Sequence, residues 1–227
     1  MGIDIQELTV SFRKKAVLQS CSLYIEEKTI TGLVAPNGYG KTTLLRSIAG
    51  LVEPEKGVIT IDSVKPNEKE RYFKKVFYLE DSTFLDQRLS TYDYMVYIKK
   101  LWHSSIVIKD VANQMGISDY YKKRIQHLSN GMKQLVVLSM ALISDAPYII
   151  LDEPMNNLDP GNTKRISDLL RATRDKGKTI LLSSHLLSNL DQICDRIVFI
   201  YDKKVTCSIN KCDDITAESV YFELYQL

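Results

Sequence analysis

At 227 residues the chain suits one domain, or one domain carrying an inserted subdomain. Its 44% apolar content is enough for a full core, and 30 basic against 28 acidic residues leave a net charge of +2, which argues against a nucleic-acid partner. The longest mainly apolar stretch, 135–143, is about half of what a bilayer span requires, so the chain is not expected to cross a membrane directly.

Ile3, Ile5 and Leu8, followed by Thr9 to Phe12, predict short strands, and Leu23-Tyr24-Ile25 predicts another. The apolar run from Ile30 to Ala35 predicts a buried strand. It leads into Pro36-Asn37-Gly38-Tyr39-Gly40-Lys41-Thr42-Thr43, and then Leu44, Leu45, Ile48 and Leu51 mark one face of a helix ended by Gly50. Strands follow over 57–61 and 76–79. From about 85 to 146 the texture becomes helical, with segments around 92–101 and 107–115 and a third beginning near Ser129. Strand 148–151, helix 164–176, strand 179–183, helix 187–194 and strand 196–200 then alternate. This order predicts an α/β fold with a mainly parallel sheet, crossover helices and an inserted helical subdomain. The stretch after Tyr201 is too weakly patterned to form a further domain. Cys21, Cys194, Cys207 and Cys212 lack C-x-x-C spacing and follow no signal peptide, so they read as reduced thiols of a cytosolic protein.

Residues 35–42 fall one residue short of the phosphate-loop pattern G-x-x-x-x-G-K-[ST], because Ala35 stands at its first glycine. Gly38 and Gly40 permit positive φ and let backbone N–H groups approach a phosphate chain. Lys41 can reach the β- and γ-phosphates, the Thr42 hydroxyl can ligate Mg²⁺, and the following helix aims its positive end at the anion. Tyr148-Ile149-Ile150-Leu151 suits a central strand, and two carboxylates at its end carry chemistry. Asp152 is the candidate for holding Mg²⁺ and Glu153 for polarising the attacking water.

In order and spacing these segments resemble the nucleotide-binding subunit of ATP-binding-cassette (ABC) transporters over nearly the whole chain. Leu128-Ser129-Asn130-Gly131-Met132 stands where that family has L-S-G-G-Q. Asn157-Leu158-Asp159-Pro160 resembles its D-loop, and Ser183-Ser184-His185 its switch-histidine region. Phe12 matches the aromatic that stacks on adenine. The wording of these motifs is most similar to drug, antibiotic or bacteriocin export and immunity systems.

The resemblance implies a P-loop NTPase (RecA-like) core over about 1–84 and 147–227. It also implies an N-terminal antiparallel β subdomain and a helical subdomain over about 85–146. Two such domains would pair head to tail, as homodimer or heterodimer, around two ATP molecules. Pro36, Asn37, Gly38, Tyr39, Gly40, Lys41, Thr42 and Thr43 would hold one ATP, while Ser129, Asn130 and Gly131 would serve the partner's. His185 would contact the γ-phosphate. Glu80 stands at the family's glutamine, with Asp81 and Gln87 close by, and would join Thr42 and Asp152 at Mg²⁺. The subunit would power a membrane-spanning permease from the inner face of the membrane. A second reading, a catalytically weak regulatory half of a heterodimer, draws on Ala35, Glu80 and Asn130.

Overall fold

A computed structural model describes residues 1–13, 15–80 and 82–226. The chain opens with β1 (Gly2–Phe12) and β2 (Lys15–Glu26), then β3 (Ile30–Val34), α1 (Lys41–Ile48) and β4 (Lys56–Ile61). A short α2 (Lys69–Phe73) and β5 (Val76–Leu79) follow, then α3 (Thr91–Leu101), α4 (Ile108–Met115), a 3₁₀ turn (Ile125–His127) and α5 (Asn130–Ser144). The alternation closes with β6 (Tyr148–Leu151), α6 (Pro160–Asp175), β7 (Thr179–Ser183), α7 (Leu187–Ile193), β8 (Arg196–Tyr201), β9 (Lys204–Asn210) and α8 (Ala217–Tyr225). Among the described residues no helix is long and apolar enough to cross a membrane.

Two sheets form. One has the order β2-β1-β4 and is antiparallel; the other has the order β5-β6-β7-β3-β8-β9. In the second, β5 through β8 run parallel and only β9 reverses. Burial on both faces explains the unbroken apolar runs of its central strands. Ile149 and Leu151 face the core shared with the helical block and α6, whereas Tyr148 and Ile150 face the core shared with the antiparallel sheet. In β1 the apolar phase shifts by one residue between Ile5 and Leu8. The structure absorbs the shift as a register break, with Glu7 at a φ of 49°.

Several elements differ from the predicted ones. Helix α1 stops at Ile48, so Leu51 lies beyond it, exposed. Helix α6 starts a turn earlier than 164, because Asp159 caps it and Pro160 occupies its first turn. The stretch after Tyr201 supplies an edge strand and a helix that no prediction covered. The parallel strands β3, β6 and β7 all end on one side, and their carboxyl-terminal loops converge there. That is where an open α/β sheet forms its ligand crevice.

Candidate functional site

The crevice holds a cavity of about 600 Å³, walled by residues from the β3–α1, β6–α6 and β7–α7 connections. Of the predicted residues it gathers Pro36, Asn37, Gly38, Gly40, Lys41, Thr42, Thr43, Glu80, Asp152, Glu153 and His185. It adds Val17 and Asn156, to which no motif pointed.

Gly40 precedes α1 at a φ of 101°, and a Cβ there would lie 2.8 Å from a Leu18 methyl, so both conformation and space call for glycine. Ala35 is not among the residues with positive φ, and its methyl packs in the core beside the antiparallel sheet. The missing first glycine therefore costs no backbone strain. Lys41 is buried, and its Nζ donates to the carbonyls of Ala35 at 2.5 Å and Pro36 at 3.4 Å. Desolvation lowers its pKa, against the pull of the Glu153 and Asp152 carboxylates.

Strand β6 delivers both acids. Thr42 Oγ1 donates to Asp152 Oδ2 at 2.5 Å, joining the phosphate loop to the acidic strand end. Ser183, fully buried at the end of β7, donates to Asp152 Oδ1 and accepts the Glu153 N–H at 2.8 Å. One hydroxyl thus orients both acids, a role visible only once β6 and β7 pair.

Glu153 sits at a φ of 49°, an uncommon conformation for a residue with a side chain. Its Oε2 accepts the His185 N–H at 3.2 Å. Its Oε1 lies 3.0 Å from His185 Nε2 and has no hydrogen-bond partner among the described residues. The approach is a close contact and not a formed bond. Burial raises the Glu153 pKa, Asp152 raises it further, and Lys41 and the His185 N–H oppose them. Burial and Lys41 lower that of His185, which keeps its ring uncharged at neutral pH.

Phe12, Tyr39, Ser129, Asn130 and Gly131 lie outside the cavity lining. Phe12 is exposed at the end of β1. The Tyr39 ring packs edge-on against Tyr225 of α8, with centroids 5.7 Å apart, and the Tyr39 N–H donates to the Pro36 carbonyl at 3.3 Å. Ser129 caps α5 by accepting the Met132 N–H at 3.3 Å, with Asn130 and Gly131 opening that helix. Glu80 is not free: Arg46 donates to it from Nε at 3.0 Å and from Nη2, and the Tyr78 hydroxyl donates at 3.2 Å. Gln87 bonds Lys133 and the Leu85 carbonyl instead of entering the cavity, and Asp81 lies outside the described residues.

Comparison with known proteins agrees with this geometry. The pattern of the family described as ABC transporter matches residues 18–156. The lantibiotic transport ATP-binding protein SrtF of Streptococcus pyogenes is 31% identical over 204 residues, covering 89% of this chain and 88% of that protein. The ABC transporter ATP-binding protein NatA of Bacillus subtilis is 33% identical over 204 residues, covering 85% and 82%. Among solved structures, an ATP-binding subunit of an ABC transporter superposes with a TM-score of 0.91 at 23% identity, covering 99% of this chain and all of that one. A dimeric ATP-binding cassette in a post-hydrolysis state with ADP and Pi superposes at 0.82 with 20% identity, covering 93% and 99%. The two structures establish the fold; the family match and the two relatives, together with the phosphate loop and the acidic end of β6 in one crevice, establish that the chain belongs to the ABC transporter family, as an ATP-binding and ATP-hydrolysing subunit.

Proposed function

We propose that the cavity holds the triphosphate of ATP with Mg²⁺, and that hydrolysis there drives export of a drug, antibiotic or peptide through a separate membrane-spanning permease. The observation that carries this reading is the 2.5 Å contact between Thr42 Oγ1 and Asp152 Oδ2. It places two hard oxygen donors side by side at the start of a helix. Among the described residues no cluster of three or more His, Cys, Asp and Glu offers a complete metal cage. Such a partial donor set fits Mg²⁺, which keeps waters and takes phosphate oxygens as its other ligands. When bound, the ion neutralises developing charge on the phosphate oxygens. Glu80 is left out of this set, since Arg46 engages both its oxygens.

The chain's own residues supply the rest. Lys41 exchanges the carbonyls of Ala35 and Pro36 for the β- and γ-phosphates. Glu153 orients a water and accepts its proton, and the uncharged His185 ring contacts the γ-phosphate. Phe12 offers an exposed ring to the adenine. Ser129, Asn130 and Gly131 face the nucleotide of a second cassette, the arrangement that explains why a helix start so far along the chain carries a phosphate-type motif. Peripheral attachment at the inner membrane face follows from a permease partner, and an antibiotic or peptide cargo is supported by the likeness to a lantibiotic transport subunit. The alternative of a catalytically weak half loses much of its basis, because Ala35 is unstrained and Glu80 is paired.

The test is magnesium dependence of binding. In the wild type, Mg²⁺ tightens ATP binding; Asp152→Asn loses about tenfold of that tightening while binding in the presence of a chelator is retained. Calorimetric titration with and without Mg²⁺ reads this directly. An undiminished Mg²⁺ effect in the variant removes Asp152, and with it the proposed metal position.

A further inference from the structure

Three carboxylates line the cavity, Glu80, Asp152 and Glu153, against one ammonium, Lys41, while the His185 ring is uncharged. A polyphosphate entering such a wall meets net repulsion. Among the described residues, Glu80 alone of the three has a cationic partner outside the lining: Arg46, on the turn of α1 that follows Thr42 and Thr43, grips it with two N–H groups. The Tyr78 hydroxyl closes the same carboxylate from strand β5. The ion pair is well exposed, 44% and 36% for the two side chains, and pairs this wet contribute little to folding. Its consequence falls instead on whatever anion approaches the wall.

We propose that Arg46 is a positioning residue for nucleotide binding, which neutralises Glu80 and holds its carboxylate back so that an acidic side chain can stand beside the polyphosphate. The inference rests on the cavity being the nucleotide site. Forked donation to both oxygens fixes the carboxylate more firmly than a single contact would. Position 80 therefore carries an acid without presenting an unpaired charge.

A double-mutant cycle tests this by calorimetry with ATP, ADP and AMP. Arg46→Met weakens ATP binding about tenfold, the size expected for an unpaired charge several ångströms from an anion at a partly wetted wall. The loss shrinks from ATP to ADP to AMP, and shrinks again as salt is added. In the Glu80→Gln background the same change at Arg46 alters ATP binding by less than about twofold, because nothing is left to neutralise. Arg46→Lys keeps the charge and retains most of the affinity. An equal loss with and without the Glu80→Gln change, or an equal loss for ATP and AMP, overturns the proposal. Should Arg46→Met fail to fold, Arg46→Gln takes its place in the cycle. Lys41→Ala, measured in parallel, separates the two levels. Unchanged ATP binding there removes the site assignment, whereas lost binding there with no effect at Arg46 removes only the role of Arg46.

Discussion

Replacing Glu153 by Gln lowers ATP turnover by about 10²–10⁴-fold, the range spanned by loss of a general base, and leaves ATP affinity within about threefold, since only the transition state uses the lost group. The amide has the shape of the carboxylate but cannot take a proton. Everything around it is preserved: the backbone at a φ of 49°, the bond from the Glu153 N–H to Ser183 Oγ, and the His185 N–H aimed at the side chain. Phosphate release at saturating MgATP measures turnover, and calorimetry measures affinity. A variant within about fivefold of wild type in turnover takes the base role away from Glu153.

The same residue fixes a pH dependence with a definite sign. A base must be deprotonated to act, and burial raises the Glu153 pKa above 4.5. The acid limb of kcat/KM, which reports the free enzyme, therefore lies above the usual glutamate range, and Glu153→Gln erases it. Stability responds in the opposite sense. Since the folded state binds this proton more tightly than the unfolded chain, stability falls as pH rises from the unfolded pKa through the folded one. Above that window Glu153 is a buried charge that burdens the fold, so Glu153→Gln melts higher than wild type at neutral pH. Lower turnover with higher thermal stability is the signature of a group held for chemistry. An unchanged or lower melting temperature at neutral pH contradicts the burial argument.

How far the sequence carried depends on the range of the interaction concerned. Strand β3, the loop at Gly38 and Gly40 and helix α1 are contiguous, so local pattern and dihedral needs were readable together. The acids at the end of β6 were readable because a strand buried on both faces ends in charge. Helix α2 was missed: it has five residues, and only Tyr72 is buried, tied by its hydroxyl to the Ile48 carbonyl at 2.6 Å. Strand β9 was missed although Val205, Cys207 and Ile209 alternate with polar neighbours, because the alternation is short and only Ile209 is buried in it. The order of residues that proposes Glu80 as a metal ligand cannot register its pairing with Arg46, 34 positions away. The spacing that places Tyr39 in the phosphate loop likewise cannot register that its ring packs against Tyr225. Tertiary pairing decides such cases, and linear spacing cannot register it.

One tertiary approach gives the second large effect. Gly131, second residue of α5, lies so near the loop after β6 that an added Cβ would stand 2.7 Å from the Asn157 carbonyl oxygen. The obstacle is backbone, held at an Asn157 φ of 63°, and no side chain can swing aside. Gly131→Ala must therefore displace the start of α5 or the Asn157 turn, at a cost of about 1–3 kcal/mol. Its larger consequence follows from what the helix start does. If Ser129–Gly131 complete a second cassette's site, tilting the N–H groups away from that nucleotide removes contacts made only across the dimer. Turnover then falls more than about tenfold, as for loss of a positioned N–H donor to phosphate, while ATP affinity of the isolated chain stays within about twofold because its own phosphate loop is untouched. ATP-dependent dimerisation of a Glu153→Gln background, followed by light scattering, provides the decisive reading. Dimers that persist in Gly131→Ala at wild-type nucleotide concentrations, with turnover intact in the Glu153 parent, place the α5 start outside the shared site; dimers lost while monomeric binding survives fix it there.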